Sequence, residues 1–387
     1  MPDMTDILSS LPVDMLPSDW REGLFLGRLD LGEGPTPVLL QGGVAYDMSG
    51  AAPTVADLVD AGAFDPAQGK ALGTVEDVLA RATLLSPIDL QCVKAAGVTF
   101  AVSALERVIE ERARGDADKA QAVRGGLEER IGGSIRSVVP GSPEAAALKA
   151  ALIEDGMWSQ YLEVAIGPDA EVFTKSPVLS TVGSGATIGV RSDSHWNNPE
   201  PEIVILSDAH GKAVGATLGN DVNLRDFEGR SALLLGKAKD NNASCSVGPF
   251  VRLFDAGYTV ADVENAQVLL RIEGPEGFLL EGESRMSEIS RPPLDLLRQC
   301  FSEHQYPDGV VLFLGTLFAP TQDRDAPGRG FTHKVGDVVT ISSDRLGTLV
   351  NTVATSRDAP AWEAGISALY RNLAARGLIG AKADALA

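Results

Sequence analysis

Apolar and polar residues alternate with a period of two over most of the chain beyond Tyr161. Segments with this alternation and many Val, Ile and Thr residues predict β-strands. The predicted strands lie at residues 172–177, 186–191, 202–208, 212–219, 268–284, 310–318 and 337–353. Many strands with few helices among them predict an α+β, mainly β fold built on a mixed sheet or roll.

Apolar residues recur at helical spacing in a few other regions. A helix is predicted from Ala101 to about Arg114. Further helices are predicted from about Asp116 to Trp158, with a break at Gly132-Gly133. Shorter helices are predicted at 295–303 and 362–376, so the helices are interruptions within a chain of strands.

The first 85 residues are predicted to form a smaller N-terminal domain, and residues 86–387 the main domain. A chain of 387 residues exceeds one typical domain. Short apolar runs on both sides of Gly42-Gly43 predict a hairpin, and two short helices are predicted to begin near Thr54 and Thr74. No cluster of functional side chains lies in this region. We therefore expect it to pack and shape the fold rather than to catalyse.

Charge and composition exclude several kinds of partner. The chain has 33 Lys and Arg against 53 Asp and Glu, a net charge of -20, which argues against binding nucleic acid or anionic lipid. An anionic substrate is still compatible, because a bound cation reverses the field locally. The three cysteines have no metal-binding or disulfide spacing. Without a signal peptide or an apolar run of about 20 residues, the protein is expected to be cytoplasmic.

Candidate metal ligands cluster near the middle of the chain. Glu200 and Glu202 are two positions apart, so on a strand both side chains leave the same face. A two-residue turn at His210-Gly211 would place Glu200 opposite Asp221. Three carboxylates so close together need a cation, and an all-oxygen set favours Mg²⁺, Mn²⁺ or Ca²⁺ over zinc.

The alternative is that these carboxylates lie on a solvent-facing strand without a metal. The apolar residues around them, including Ile203 and Ile205, are not typical of a polar outer face. The predicted pairing depends on the turn, however, and a slip of one residue would undo it.

Other candidates for chemistry lie on each side of this segment. Lys239 lies in a polar segment that is predicted to be a loop, and Glu171 precedes a predicted strand and competes with Glu163 as a further acidic group. Ser103, Glu106 and Arg107 share one face of the predicted helix. On the residues alone, that face is either solvated or directed into a pocket.

Five segments occur in the same order as in a known family. They are PEPEI (199–203), GNDVNLRDFE (219–228), KAKDNNASCSVGPF (237–250), FLGT (313–316) and KVGDVV…LGTLVNTV (334–353). Together they resemble the fumarylacetoacetate hydrolase superfamily over about residues 85–355. The resemblance implies a β-roll of mixed sheets around one metal site, usually in homodimers. It also implies that Glu200, Glu202 and Asp221 are the metal ligands, Lys239 the active-site lysine and Thr316 a substrate contact.

One departure from the family pattern changes the implied reaction. Many hydrolases of the family have an Asn-Tyr…His…Glu motif whose His activates water, whereas this chain has GVTFAVSALE, with Ser103 in place of the His and Glu106 retained. AAGVTFAVSALERVIEE and SHWNNPEPE are instead similar to the family's 2-keto-3-deoxy-pentonate dehydratases. That resemblance implies Mg²⁺-dependent conversion of a 2-keto-3-deoxy sugar acid to 2,5-dioxopentanoate and water, with Ser103, Glu106 and Arg107 contacting the substrate.

The acid and base of this implied reaction are expected to be Lys239 and Glu171, with the assignment between them left open. A lysine in a tight pocket beside a metal is expected to have a lowered pKa. Mg²⁺-dependent hydrolysis of a C–C bond in an acylpyruvate or β-diketo acid is the alternative reaction within the family. The resemblance also implies a homodimer or a dimer of dimers.

Overall fold

A large mixed sheet extends through both predicted domains. The structure is a computed structural model of the chain. It describes residues 11–114, 116, 119–120, 135, 138–317, 320, 322–327 and 330–379. The predicted break at Gly132-Gly133 lies outside these residues. The strands of the described chain are β1 (Phe25–Asp30), β2 (Pro35–Gln41), β3 (Val44–Asp47), β4 (Lys70–Thr74), β5 (Thr83–Leu84), β6 (Cys92–Gly97), β7 (Glu171–Ser176), β8 (Thr187–Val190), β9 (Asn197–Asn198), β10 (Pro201–Ser207), β11 (Ala213–Asp221), β12 (Asn223–Leu224), β13 (Cys245–Leu253), β14 (Gln267–Glu273), β15 (Leu279–Arg285), β16 (Val310–Phe313), β17 (Val338–Ser343) and β18 (Gly347–Thr355).

The helices are mostly short and interrupt the run of strands. In the described chain the α-helices are α1 (Leu11–Asp14), α2 (Val55–Asp60), α3 (Val75–Leu79), α4 (Ala101–Ala113), α5 (Pro143–Glu154), α6 (Gln160–Ile166), α7 (Arg225–Glu228), α8 (Leu235–Lys239), α9 (Val260–Glu264), α10 (Pro293–Phe301) and α11 (Ile366–Ala375). Thr54 and Thr74 cap α2 and α3, each accepting a hydrogen bond from the backbone N–H three residues later. The predicted starts of these two helices are therefore confirmed. None of the helices in the described ranges is long and apolar enough to cross a bilayer.

The strand order joins the N-terminal residues to the rest of the molecule. The large sheet has the order β4-β3-β2-β1-β13-β11-β10-β16-β6-β7, with β5 beside β1. β1 pairs with β13, so the N-terminal strands continue the same sheet that contains the candidate metal ligands. A second sheet has the order β15-β14-β17-β18-β8. The predicted fold, mainly β with mixed sheets, is confirmed, while the division at residue 85 stays a prediction.

The central strand β10 is buried on both faces. Ile203 and Ile205 belong to one apolar core with residues of β14 and β17, whereas Val204 and Leu206 belong to another core that includes residues of α2. All seven residues of β10 are buried. A continuous apolar run is typical of such a central strand, and its burial excludes the solvent-facing alternative for the carboxylates.

The strand β13 was not predicted from the sequence. The segment was predicted to be polar and irregular, yet all nine residues of β13 are buried between β1 and β11. Pro249 argues against a central strand, because proline cannot donate to the ladder. The pairing with β11 is irregular at this point, shifting between Ala216 and Leu218, and that irregularity accommodates the proline.

Candidate active site

The register between β10 and β11 brings the three candidate ligands together. Glu202 pairs with Gly219, and the Asp221 N–H donates to the Glu200 carbonyl oxygen at 3.0 Å. Glu200 therefore lies opposite Asp221, which confirms the predicted pairing. All three carboxylates are buried, and one oxygen of each lies within 4.8 Å of the others.

The predicted two-residue turn of this hairpin is wrong. The Asp208 N–H donates to the Lys212 carbonyl oxygen at 3.0 Å, so the loop has three residues rather than two. Leu206 pairs with Gly215 but Ser207 pairs with Ala213, which leaves Val214 as the extra residue of a β-bulge. The longer loop shifts the pairing of β10 with β11 by one residue, and the bulge shifts it back by one residue. The pairing at Glu200 is therefore the one that a two-residue turn would have produced.

Glu200 is surrounded by positive charge. Lys239 and Arg107 both form ion pairs with its carboxylate. Burial raises the pKa of Glu200, but these two cations outweigh burial and hold the pKa at about 2. The group is therefore a carboxylate at any physiological pH.

Glu202, unlike Glu200, is surrounded by negative charge. Its environment shows whether a metal ion would fit among the three carboxylates. Burial and the neighbouring Asp221 and Glu200 raise its pKa well above the ordinary value. Its side chain accepts a hydrogen bond from the Gly315 N–H at 2.6 Å, and no ion pair to Glu202 is found in the described part of the chain. A cation among the three carboxylates would relieve this repulsion, and a donor set made only of oxygen suits a hard divalent ion.

Lys239 lies at the last position of α8 rather than in a loop. Its ammonium group contacts Glu200 and lies 3.0 Å from Asp221 Oδ2. Burial lowers the pKa of Lys239, but Asp221, Glu200 and Glu228 outweigh burial, and the net pKa is raised. The expected lowering of this pKa is therefore wrong for these side chains, because the carboxylates neutralise the cost of burying the ammonium group.

Glu171 opens β7 and lies opposite Gly97 of β6. It lines the same small cavity as the three carboxylates and Lys239. Burial and the nearby Glu228 raise the pKa of Glu171 to about 7. The competing Glu163 lies on α6, outside the cavity lining, and forms an ion pair with Lys149.

Three of the four predicted substrate contacts lie together around the cavity, and the fourth does not. Ser103, Arg107 and Thr316 line the cavity, and the Ser103 hydroxyl donates to the Thr316 carbonyl oxygen at 2.6 Å. This hydrogen bond ties α4 to the loop after β16. Glu106 is half-buried on the same helix but does not line the cavity, and its predicted contact with substrate stays a prediction.

Several charged residues of the site were missed from the sequence. Glu228 lines the cavity and lies 2.8 Å from Arg107, and Glu110 joins Arg107 to Arg225. Lys175 is fully buried against Asp221. Glu228 is the last residue of GNDVNLRDFE (219–228), one of the segments that carry the family resemblance. The position of Glu228 in that segment was the signal that could have identified this residue.

Comparison with known proteins identifies the family. Residues 159–354, about half of the chain, match the family described as fumarylacetoacetate (FAA) hydrolase, C-terminal. The chain belongs to the fumarylacetoacetate hydrolase family. The matched range includes the three carboxylates, Lys239 and Glu171, so the resemblance inferred from the five segments is confirmed.

Two curated relatives within the family are named as dehydratases. A probable 2-keto-3-deoxyxylonate dehydratase of Haloferax volcanii is 35% identical over 205 residues, 52% of this chain and 66% of the relative. A 2-dehydro-3-deoxy-D-arabinonate dehydratase of Saccharolobus solfataricus is 30% identical over 187 residues, 48% of this chain and 59% of the relative. The matches thus span about two thirds or less of these relatives' lengths.

Solved structures support the same fold. A 2-keto-3-deoxy-D-arabinonate dehydratase superimposes with a TM-score of 0.61 at 20% identity, covering 86% of this chain and 98% of the other. A structure described as that dehydratase complexed with magnesium and 2,5-dioxopentanoate superimposes with a TM-score of 0.60, also at 20% identity. At this identity the similarity establishes the fold.

Proposed function

We propose that this protein is a magnesium-dependent dehydratase that converts a 2-keto-3-deoxy-pentonate into 2,5-dioxopentanoate and water. The observation that carries the proposal is the convergence of Glu200, Glu202 and Asp221 with Lys239 and Glu171 in one buried cavity. The two relatives named as dehydratases support the same reaction class. Ser103, in place of the histidine of the hydrolases, also favours it, because its hydroxyl is engaged with the Thr316 carbonyl oxygen.

Glu200, Glu202 and Asp221 are the residues that would hold the ion. Mg²⁺ bound there supplies Lewis-acid stabilisation of the negative charge that develops on the 2-keto oxygen. Mn²⁺ and Ca²⁺ are compatible with the same all-oxygen ligands.

Glu171 and Lys239 are the groups that move protons in this proposal. A carboxylate with a pKa of about 7 is well matched to removing a proton from C3 near neutral pH. The Lys239 ammonium donates a proton to the 4-hydroxyl as the C4–O bond breaks, and water leaves. Proton transfer from C5 to C3 then converts the resulting enone into an enol with a C4=C5 double bond. Loss of the enol O–H proton and protonation of C4 give the terminal aldehyde. Each proton removed from carbon is thus matched by one donated to oxygen or carbon.

Arg107 orients the substrate in the same proposal. Its guanidinium group lines the cavity between Glu200 and Glu228, where a planar donor suits the carboxylate or hydroxyls of a sugar acid. Ser103 and Thr316 line the cavity and are joined by the hydrogen bond from the Ser103 hydroxyl to the Thr316 carbonyl oxygen.

The decisive experiment is a substrate test with and without metal. Purified protein with Mg²⁺ and a 2-keto-3-deoxy-pentonate should release an aldehyde acid without pyruvate, and EDTA should abolish turnover. Glu202→Gln should lose metal-dependent activity while remaining folded, whereas Glu281→Gln, on the exposed edge of the second sheet, should keep it. Turnover of acylpyruvates in place of the deoxy-keto acid would overturn the dehydratase proposal in favour of hydrolysis.

The proposed assembly is a homodimer or a dimer of dimers, as the family resemblance implies. Light scattering coupled to size-exclusion chromatography measures the mass directly. A species of about 40.6 kDa, the mass of one chain, would contradict it.

A further inference from the structure

Lys175 is a buried cation whose position neither the sequence motifs nor the proposed reaction accounts for. Its side chain is fully buried (0% exposed). An isolated ammonium group in such a place is strongly unfavourable, so a lysine there needs partners of matching charge and geometry. Its partners therefore indicate its role.

The polar partners of Lys175 lie in the candidate active site or directly beside it in sequence. Its Nζ lies 2.9 Å from Asp221 Oδ1, while Asp221 Oδ2 faces Lys239. The same Nζ donates to the Val222 carbonyl oxygen at 3.3 Å and to the carbonyl oxygen of Lys239. One ammonium group thus connects a candidate metal ligand with the end of the helix that carries the candidate catalytic lysine.

A local irregularity in β7 directs this side chain inward. Lys94 of β6 pairs with Thr174, but Val93 pairs with Ser176, so Lys175 is the extra residue of a β-bulge. Such bulges re-aim side chains and occur frequently next to active sites. Thr174 is exposed while Lys175 is completely buried, which is consistent with a side chain directed into the site.

We propose that Lys175 is a positioning residue that fixes the Asp221 carboxylate for metal binding and, through the Lys239 carbonyl oxygen, fixes the end of α8. The proposal rests on the proposed function, since it needs a metal at Asp221. Charged and polar groups that contact metal ligands orient them, and loss of such a group typically lowers metal affinity or activity about 10–100-fold. Lys175 touches neither substrate nor metal in this role.

Two substitutions separate charge from hydrogen bonding. Lys175→Met removes both the charge opposite Asp221 and the donor to the two carbonyl oxygens. Lys175→Gln removes the charge but keeps a donor. Lys94→Met is the matched control, because Lys94 lies on the neighbouring strand with its ammonium group on the exposed Thr174 hydroxyl at 2.8 Å.

Calorimetric titration with Mg²⁺ alone tests the role without turnover. Lys175→Met should bind Mg²⁺ about 10–100-fold more weakly than the unmodified protein. Its kcat at saturating Mg²⁺ should also stay low, because α8 is no longer anchored, while KM changes less. Lys175→Gln should recover part of the kcat but not the Mg²⁺ affinity, and Lys94→Met should match the unmodified protein in both.

The outcomes distinguish this inference from the proposed function. If the unmodified protein does not bind Mg²⁺, the proposed function fails. If it binds Mg²⁺ and both Lys175 variants bind equally well with equal kcat, only the positioning role fails. Unfolding of both variants, with and without Mg²⁺, would assign Lys175 to the fold alone and would also overturn the proposal.

Discussion

At the scale of single residues, the site holds two carboxyl groups, buried Glu200 and half-buried Glu171, whose pKa values are shifted in opposite directions. Two cations hold the pKa of Glu200 at about 2, whereas burial and Glu228 raise that of Glu171 to about 7. Pairs of titratable groups whose environments separate their pKa values in this way are typical of active sites that give similar side chains different chemical roles. The difference supports the proposal that Glu200 is a metal ligand and Glu171 the base.

The raised pKa of Glu171 predicts a pH dependence. A base must be ionised, and a carboxyl group with a pKa of about 7 is protonated below that value, so kcat/KM should fall as pH decreases through about 7. Glu171→Gln should lower kcat by about 10²–10⁴-fold and remove this acidic limb. Glu163→Gln, at an ion pair outside the cavity, should leave the pH–rate profile unchanged. A flat profile between pH 5 and 8 in the unmodified protein would contradict the assignment of Glu171.

Gly97 leaves the space that the Glu171 carboxylate occupies. A Cβ atom at Gly97 would lie 2.0 Å from Glu171 Oε2, so Gly97→Ala must displace that side chain. Because a misplacement of about 1 Å can reduce turnover about 100-fold, we expect a large loss of kcat with little change in unfolding temperature. Gly50→Ala, which meets nothing within 4 Å, is the control. An unchanged kcat in Gly97→Ala would show that Glu171 tolerates displacement and is not the base.

The candidate metal ligands could be predicted from the sequence, but the residues that surround them could not. Glu200 and Glu202 follow the strand period directly. Asp221 was placed correctly because the three-residue loop and the bulge together restore the register of the assumed two-residue turn. Lys175 depends on a bulge, and Glu110 on contact between distant segments. Neither feature leaves a periodic pattern, because each is decided by tertiary packing rather than by local residue order.

At the scale of elements, α4 is attached to the site by a chain of buried charges. Glu110 lies 2.7 Å from Arg107 and 3.3 Å from Arg225, so one carboxylate joins α4 to α7. Arg107 in turn reaches Glu200 and Glu228. The position of this helix therefore depends on ion pairs as well as on its apolar face.

Removing the shared carboxylate should destabilise the fold. Glu110→Gln removes the ion pair that the described residues give to buried Arg225 and one of the three that they give to Arg107, and breaking a buried ion pair typically costs about 3–5 kcal/mol. Urea unfolding should therefore show a lower free energy of unfolding for this variant. Glu154→Gln, at the exposed end of α5, should differ by less than about 0.5 kcal/mol. A Glu110 variant as stable as the unmodified protein would mean that the ion pairs do not hold α4.

At the scale of the whole molecule, one sheet unites segments that are far apart in sequence. The strands themselves were largely predictable from the period of two, but their order was not. β13 lies between β1 and β11 in the sheet. Its Gly-Pro dipeptide argues against a central strand, so this strand could not be predicted from the sequence. Strand order depends on contacts made across the whole chain, which periodicity does not encode.

The shared sheet predicts that the first 85 residues cannot be removed without damage. A chain of residues 86–387 would expose the β13 edge that β1 covers, together with Phe250, and exposed apolar edges promote aggregation. We expect this fragment to be insoluble, or to unfold at a clearly lower temperature, when expressed alone. A soluble fragment with unchanged unfolding temperature and Mg²⁺ affinity would instead support an independent N-terminal domain.

The position of Cys245 offers a way to follow opening of the sheet. Cys245 pairs with Asp221 across β11 and β13, and burial raises the pKa of its thiol to about 12. Alkylation needs an accessible thiolate, so it can occur only when this part of the sheet opens. Mg²⁺ at 100 times its Kd should add about 2.7 kcal/mol to the free energy of opening, slowing alkylation about 100-fold. Mass spectrometry of the labelled peptide would then report metal binding without any substrate, and equal labelling rates with and without Mg²⁺ would place the ion elsewhere.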